Sequence, residues 1–350
     1  MRHIASGICI LAFCLTSRGQ DVHFSQFYAS PLTLSPAMTG FFNGGYRIAA
    51  NYRSQWASID DAGFNGFITA SASYDMTLFR NQKLGKDFIG FGIMVLNDNQ
   101  GLLSDSRAMI SGTYHKNLNL HNLALGFQAG VNQKAINIGP EITWPSDWSD
   151  IGGGAFIPGN GTTDVPASVA KIYPDFQTGL LWYASLSQKI DAFAGFALFH
   201  ITQPKESFLP NLKYKLPSRY VVNAGTRFKV SSTVDVVPHF LYMLQSATKE
   251  INIGSSVEYA IPSILDGEMG IAFGPYFRWA TTNVKGETFR DIIAMTGLMY
   301  RNFRFGFSYD VNVNGLDDLT RKKGGFELSL IFVGNVTTTT RPVIVPCPRF

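Results

Sequence analysis

The stretch NLALGFQAGVNQK, residues 122–134, alternates between two kinds of side chain along its whole length. One face of this two-residue repeat is apolar: Leu123, Leu125, Phe127, Ala129 and Val131. The other face is polar or small: Asn122, Gly126, Gln128, Gly130, Asn132 and Lys134. Successive side chains of a β-strand point to opposite sides of the sheet, so the pattern predicts a strand with one apolar and one wet face.

Fourteen stretches of this kind follow one another along the chain. The alternation is equally regular in residues 269–279, 303–314 and 326–332. The predicted strands are approximately residues 44–54, 63–77, 87–97, 103–117, 121–136, 173–186, 190–202, 217–229, 232–246, 249–260, 267–281, 288–301, 303–315 and 323–334. An even number of long strands is typical of single-chain bacterial outer-membrane barrels. The sequence therefore predicts an all-β fold, a transmembrane antiparallel β-barrel of about 14 strands.

The joins between the predicted strands give the barrel an expected orientation. Joins after even-numbered strands are mostly tight, as at residues 118–120 and 188–189, whereas joins after odd-numbered strands include the two longest, 137–172 and 202–216. Outer-membrane barrels have short periplasmic turns and longer external loops. We therefore expect the long joins to face outward. A short join near Ala247 and a longer second-to-third join, FRNQKLGK, depart from this alternation.

Composition excludes several other classes of protein. Only 15% of the 350 residues are Asp, Glu, Lys or Arg, against about 25% in an average soluble domain. The 29 basic and 25 acidic residues give no nucleic-acid footprint, and 45% hydrophobic residues argue against disorder. The longest apolar run, residues 4–15, is too short for a transmembrane helix. A soluble β-sandwich is the alternative, but its strands are usually shorter.

The first residues predict a secretory signal peptide, residues 1–19, because basic Arg2 precedes an apolar run and small residues stand at Ser17 and Gly19. The predicted divisions are this signal, an N-terminal periplasmic or lumenal extension at 20–43, the barrel at 44–335 and a periplasmic C-terminal tail at 336–350. Removal of the signal would leave Cys347 as the only cysteine, which excludes an internal disulfide and a cysteine-based zinc site. An unpaired tail thiol is expected, with an intermolecular bridge as the alternative.

The sequence contains no motif for a nucleophile elbow, a P-loop or a dinucleotide fold. We therefore predict no enzymatic activity, no catalytic residue, no cofactor and no metal site. Charged residues on the predicted inner face can pair with one another across the lumen: Arg47, Arg53, Arg107, Arg227, Arg278 and Arg304 with Asp75, Asp235, Glu258, Glu268, Asp310 and Glu327. Pro238 and Pro275 fall on the outward face within predicted strands and each removes a ladder donor, which suggests bulges there or a local error in the predicted register.

The segment HFSQFYASPLTLSPAMTGFFNGGYRIAANYRSQW, residues 23–56, carries a distinctive motif. It closely resembles the opening of the PorP/SprF family of Bacteroidetes membrane proteins, an FSQ-aromatic run with P-L and N-P-A-x-x-G steps followed by Y-R-x-Q-W. The matching residues are Phe24, Ser25, Gln26, Pro31, Leu32, Pro36, Ala37, Gly40, Tyr52, Arg53, Gln55 and Trp56. Ser35 stands where the family usually has asparagine. The resemblance continues through residues 90–101, 173–184 and 216–225.

That resemblance implies a non-enzymatic outer-membrane protein of the type IX secretion and gliding-motility machinery of a Gram-negative, Bacteroidetes-type bacterium. Family members anchor periplasmic ring or peptidoglycan-binding components, or assist secretion and surface attachment of large adhesins. The expected partners are thus outer-membrane lipid, periplasmic type IX components and a secreted adhesin, with no nucleic acid. A channel for small or hydrophobic molecules is the alternative. Segment 21–43 either folds into the lumen or binds a periplasmic partner, and the twelve motif residues are the candidate partner contacts.

Overall fold

A computed structural model describes residues 21–56, 66–80, 86–136, 148–149, 155–156, 170–208, 214–262, 269–281, 288–313 and 323–335. The predicted signal peptide, the C-terminal tail with Cys347 and most of the 137–172 join lie outside the described residues. Among the described residues, no helix is long and apolar enough to cross a membrane.

Fourteen long strands form one closed antiparallel barrel. They are β1 (Tyr46–Gln55), β2 (Phe67–Leu78), β3 (Phe88–Gln100), β4 (Leu103–Leu118), β5 (His121–Ile136), β8 (Ala170–Ser187), β9 (Ile190–Phe199), β10 (Arg219–Lys229), β11 (Val234–Gln245), β12 (Thr248–Ile261), β13 (Met269–Thr281), β14 (Thr288–Tyr300), β15 (Phe303–Asn312) and β16 (Lys323–Gly334). Two short strands, β6 (Trp148–Ser149) and β7 (Ala155–Phe156), pair with each other in the β5–β8 join. The predicted barrel of about 14 strands is confirmed.

Each barrel strand pairs with its neighbours in the chain, and β1 pairs with β16 to close the cylinder, from Tyr46 opposite Gly334 to Gln55 opposite Gly325. We call the end where β1 begins and β16 ends the terminal end, and the opposite end the loop end. Tight turns at the terminal end include 119–120, 188–189 and 301–302, whereas the 137–169 and 200–218 joins lie at the loop end. The loop end also has tight turns at 101–102 and 246–247.

The two faces of the strands separate as the alternation predicts. In β5, Phe127 is 58% exposed on the outer face, whereas its neighbour Gln128 is 2% exposed on the lumenal face. In β15, Phe305 and Phe307 are exposed, while Ser308 and Asp310 are buried. A continuous apolar outer surface therefore surrounds a polar interior, which is the arrangement that a lipid bilayer requires of a barrel.

The two in-strand prolines do not produce the expected bulges. Pro238 faces outward in β11, and the β10–β11 register is the same at Gly225–His239 as at Phe228–Val236. Pro275 faces outward in β13, and the β12–β13 register is likewise unchanged between Gly254–Tyr276 and Val257–Phe273. Each ladder is interrupted for two residue pairs, the pair at the proline and the one beside it, because a ring without an N–H cannot donate there. The bulge prediction is therefore wrong at both positions.

Candidate functional site in the barrel lumen

Residues 21–45 run through the lumen from the loop end to the terminal end, and we call this segment the plug. It contains a 3-10 turn at Phe27–Ala29, a four-residue helix at Pro31–Leu34 and a second 3-10 turn at Pro36–Met38. Pro31 and Pro36 stand at the first position of their turns, where the fixed φ of proline suits a helical start and its missing N–H is not needed. The proline punctuation of the motif thus folds the plug into short compact turns.

The plug begins at the loop end, in a cluster of buried charges around Asp21. One Asp21 carboxylate oxygen lies 2.8 Å from Arg107 Nη2, and the other lies 2.5 Å from His200 Nε2 and 3.6 Å from Arg219 Nε. The Asp21 backbone N–H donates to Gln245 Oε1 at 2.8 Å. These partners come from β4, from the residue after β9, from β10 and from the last residue of β11. The first described residue of the plug is therefore fixed to four places on the wall.

Charge coupling inside this cluster determines the protonation of its members. Burial opposes ionisation of Asp21, but the charges of Arg107, His200 and Arg219 outweigh it and hold the pKa of this carboxyl well below its usual value. Burial likewise opposes protonation of His200, yet Asp21 and Asp175 together raise the pKa of its imidazole. The cluster is therefore most stable with Asp21 ionised and His200 protonated.

Ser25 and Gln26 of the motif are held by the last two strands. Glu327 of β16 accepts hydrogen bonds from both backbone N–H groups, at 2.7 Å from Ser25 and 2.8 Å from Gln26. The Ser25 hydroxyl donates to Asp310 of β15 at 2.7 Å. Arg53 of β1 donates to the carbonyl oxygen of His23 at 2.6 Å. Because these contacts lie on β1, β15 and β16, the FSQ turn spans the seam at which the barrel closes.

The middle of the plug is apolar and packs in several directions. Phe27 lies edge-on to Tyr276, and the Tyr28 ring stacks on His239 of β11 with centroids 5.1 Å apart. Leu32 belongs to a buried cluster with Met94 and Met109, from β3 and β4. Further along, Phe41 contacts the rings of Tyr183 and Phe193, from β8 and β9. The plug therefore touches opposite sides of the barrel and crosses its whole section.

At the terminal end a second ionic group fixes the exit of the plug into β1. Asp75 accepts from the Gly40 N–H at 2.7 Å and from Arg47 Nε and Nη2 at 2.9 and 2.7 Å. Arg47 also donates to the carbonyl oxygens of Met38 and Phe41. His115 Nε2 lies 2.8 Å from the Thr39 carbonyl oxygen, to which it donates. Side chains of the wall thus donate hydrogen bonds to backbone carbonyl groups at the end of the plug.

Wall glycines make room for the plug backbone. A Cβ added to Gly126 of β5 would stand 2.5 Å from the Pro36 carbonyl, and one added to Gly90 of β3 would stand 2.3 Å from the Thr39 oxygen. At Gly306 of β15 the obstruction would be the Gln26 side chain, at 2.2 Å. These distances leave no space for a side chain, so the plug and the wall are fitted to each other.

The structure divides the twelve motif residues into two groups. Those in the plug are all buried in the lumen: Phe24, Ser25, Gln26, Pro31, Leu32, Pro36, Ala37 and Gly40. Those of the β1 region point in different directions, because Arg53 faces the lumen, Tyr52 faces outward, and Gln55 and Trp56 lie partly buried at the loop end. Of the two alternatives for segment 21–43, the structure shows the lumenal one. A role of these residues in binding a partner stays a prediction.

Several lumenal ion pairs confirm the expected pairing of inner charges. Arg47 pairs with Asp75, Arg53 and Arg278 with Asp310, and both Arg227 and Arg304 with Glu258. Sequence reasoning gave no role to His200, Asp175 or Arg219, which hold the plug at the loop end. An inward position for Asp175 follows from the two-residue repeat of β8. His200 could not be found in this way, since it leaves β9 with a positive φ of 55°.

A family model described as type IX secretion system membrane protein PorP/SprF matches residues 16–332 of the chain. No curated protein matches it. Among solved structures, the chain is similar to the CymD monoaromatic hydrocarbon channel, with a TM-score of 0.50, 10% identity, and coverage of 91% of this chain and 96% of that one.

Two further structures are similar over most of their length. A Pseudomonas aeruginosa FadL homologue gives a TM-score of 0.45 at 9% identity, covering 85% of this chain and 92% of that one. BamA from Haemophilus ducreyi lacking POTRA domains 1–3 gives 0.41 at 10% identity, covering 83% and 70%. At such low identity these likenesses concern the fold alone.

Proposed function

The chain belongs to the PorP/SprF family of type IX secretion system membrane proteins, and on that premise we propose that it is a closed, non-enzymatic outer-membrane scaffold. In this proposal it anchors periplasmic secretion machinery, or assists the secretion and surface attachment of adhesins, in a Bacteroidetes-type bacterium. The terminal end then faces the periplasm and the loop end the cell surface, in line with the short periplasmic turns of such barrels.

The observation that carries this proposal is the plug. It contacts strands on opposite sides of the lumen, from β3 and β4 to β8, β9, β11 and β13, and buried ionic groups hold it at both ends. A barrel whose interior is occupied by its own chain is suited to holding other proteins by its rims. It is poorly suited to diffusion of solutes, which argues against the channel alternative.

The proposal assigns a role to each part of the chain. Residues 1–19 direct export, the extension at 20–43 forms most of the plug, residues 44–335 form the barrel, and the tail at 336–350 is available to periplasmic partners. The long join at 137–169 is the candidate contact for a secreted substrate on the cell surface. Of this join, the structure describes only the β6–β7 pair.

Cross-linking in intact cells followed by affinity purification tests the scaffold proposal. The bait is the full chain, and the matched control is an unrelated outer-membrane barrel carrying the same tag. We expect periplasmic ring or peptidoglycan-binding components, or a large surface adhesin, to be enriched over the control. The scaffold proposal fails if the cross-linked bait enriches none of these components.

Shortening the 137–169 join tests the substrate contact separately. Replacement of most of this join by a short glycine-serine linker, with the barrel still inserted, is expected to abolish display of the secreted protein on the cell surface. Unchanged display, measured by antibody labelling of whole cells, would remove this join as the substrate contact without affecting the scaffold assignment.

A further inference from the structure

Asp21 occupies a binding site formed by three cationic side chains of the wall. Arg107, His200 and Arg219 surround its carboxylate at 2.8, 2.5 and 3.6 Å, and all three are at least nine-tenths buried. They come from separate elements, so the site is formed by the closed barrel and not by one local turn. It lies at the loop end of the barrel, where β9 ends and β10 begins.

The wall's own carboxylates form ion pairs with two of these three cations. Asp105 lies 2.8 Å from Arg107, and Asp175 lies 2.8 Å from His200. Arg219, by contrast, forms an ion pair only with Asp21 among the residues that the structure describes, although Glu250 also acts on its charge. Without Asp21, Arg219 would have no carboxylate within ion-pair distance in the described part of the chain, and breaking a buried ion pair is strongly unfavourable. Arg219 therefore favours a carboxylate from outside the wall.

Two buried amides beside the site point to the rest of the ligand. Asn132 and Gln177 both direct their side-chain N–H groups to Asp175 Oδ2, at 3.4 and 3.2 Å. Their carbonyl oxygens are buried and accept no hydrogen bond from any residue in the described part of the chain. Buried acceptors of this kind normally have a partner. The described part of the plug, which begins at Asp21, supplies no donor to them, whereas a polypeptide that continues on both sides of its acidic residue carries further N–H groups.

The outer part of the plug is held differently from the rest. Residues 21–23 contact the wall through ionic and hydrogen-bonding groups, and Val22 and His23 are only partly buried. Residues 27–41, in contrast, include a large share of the buried apolar core. Polar contacts that a competing carboxylate can replace thus hold the outer part of the plug, whereas apolar packing holds the inner part.

We propose that the outer mouth of the lumen is a carboxylate-binding site for an extended polypeptide segment, with Asp21 as its internal ligand. An aspartate or glutamate side chain on a secreted protein displaces Asp21 when that protein docks at the loop end. This step rests on the proposed function for the source of the polypeptide. The recognition chemistry rests on the wall residues alone.

A peptide with the sequence of residues 21–24 is the probe for the site. The peptide acetyl-Asp-Val-His-Phe-amide is compared with the matched acetyl-Asn-Val-His-Phe-amide, each with a fluorophore, by anisotropy on the purified mature chain carrying Asp21→Asn. We expect the aspartyl peptide to bind at least tenfold more tightly than the asparaginyl peptide. Adding Arg219→Gln should remove that preference. Equal binding of the two peptides, or no binding of either, would overturn the proposal.

A second arm uses the native carboxylate and does not depend on the folding of the Asp21 variant. Val22→Cys in a Cys347→Ser background gives one thiol beside Asp21, whose reaction with a maleimide reports departure of the outer plug. The aspartyl peptide should accelerate labelling several-fold and saturably, and the asparaginyl peptide should not. A labelling rate that neither peptide changes would contradict displacement of Asp21. Both arms use purified protein without partners, so their failure is distinguishable from failure of the scaffold proposal.

Discussion

At the scale of single residues, carboxylates of the wall hold the plug by accepting hydrogen bonds from its backbone N–H groups. Glu327 receives two such bonds, from Ser25 and Gln26, and Asp75 receives one from Gly40. Backbone N–H groups buried in a lumen without these acceptors would lose their bonds to water with no replacement. The acidic residues of the wall therefore let an irregular segment lie inside the barrel.

Glu327→Gln tests this role directly. A glutamine side chain offers one acceptor oxygen where the carboxylate offers two, so one plug N–H loses its partner. We expect a loss of about 1–3 kcal/mol in the free energy of unfolding, measured by urea titration of the folded barrel. Glu206→Gln is the matched control, since Lys134 and Tyr173 both donate to the same oxygen of this buried carboxylate and the amide keeps one acceptor oxygen for them, so its cost should be smaller than that of Glu327→Gln. Equal losses of unfolding free energy in the two variants would contradict this role of Glu327.

Gly126→Val tests the fit between plug and wall. The added Cβ would stand 2.5 Å from the Pro36 carbonyl, so the plug backbone must shift or leave, at a cost of about 1–3 kcal/mol. Faster maleimide labelling of Val22→Cys is the expected result. Gly112→Val on β4 is the control, because a Cβ there meets no atom within 4 Å. If the two variants label at the same rate, the close packing at Gly126 is not holding the plug.

At the scale of elements, the strands could be predicted from the sequence, whereas a lumenal position of segment 21–43 could be predicted only as one of two alternatives and its turns not at all. The residue pattern of a strand reflects its surroundings directly, because successive residues of β5 or β15 face lipid and lumen in turn. The turns of the plug depend on partners far away, as in the contact of Ser25 with Glu327, 302 residues apart. Its burial also left no periodic signal, since proline-punctuated turns have no single repeat. The resemblance marked Ser25 and Gln26 as distinctive but gave them no contacts.

The outer section of the plug should respond to alkaline pH. Asp21 and Asp175 raise the pKa of His200. Protonated His200 therefore stabilises the outer plug fully below its ordinary pKa of 6.5, and this stabilisation is lost as pH rises through the folded value. Asp21 has a lowered pKa, so the stabilisation that ionised Asp21 gives the outer plug is lost only as pH falls through that lower value. Burial, with the nearby Arg53 and Arg278, lowers the pKa of His23; it stays neutral across the alkaline range.

The maleimide labelling rate of the Val22→Cys chain measures this response. At each pH it is divided by the labelling rate of the unfolded chain. The ratio should rise as the pH increases above 6.5, where His200 loses its proton and the cluster gains net negative charge. His200→Gln removes the titrating group and should give a flat ratio. A rise of the same size in the His200→Gln chain would assign the pH dependence to another group.

At the scale of the whole molecule, many of the charged residues that the structure describes lie inside the barrel. Arg47, Arg107 and Arg278 are buried in ion pairs with wall or plug carboxylates. Pairing of inner charges was predictable from the alternation, but their use as anchors for the plug was not, because it depends on the three-dimensional path of residues 21–45. The low charge content thus reflects a lipid-facing exterior, and its distribution reflects an occupied interior.

Single-channel recording of the purified chain in planar bilayers tests the central claim, that the plug closes the lumen. The account predicts no sustained conductance for the native chain and open events in the Gly126→Val chain, with the Gly112→Val chain resembling the native one. A stable, ohmic conductance of the native chain, unchanged by Gly126→Val, would contradict it.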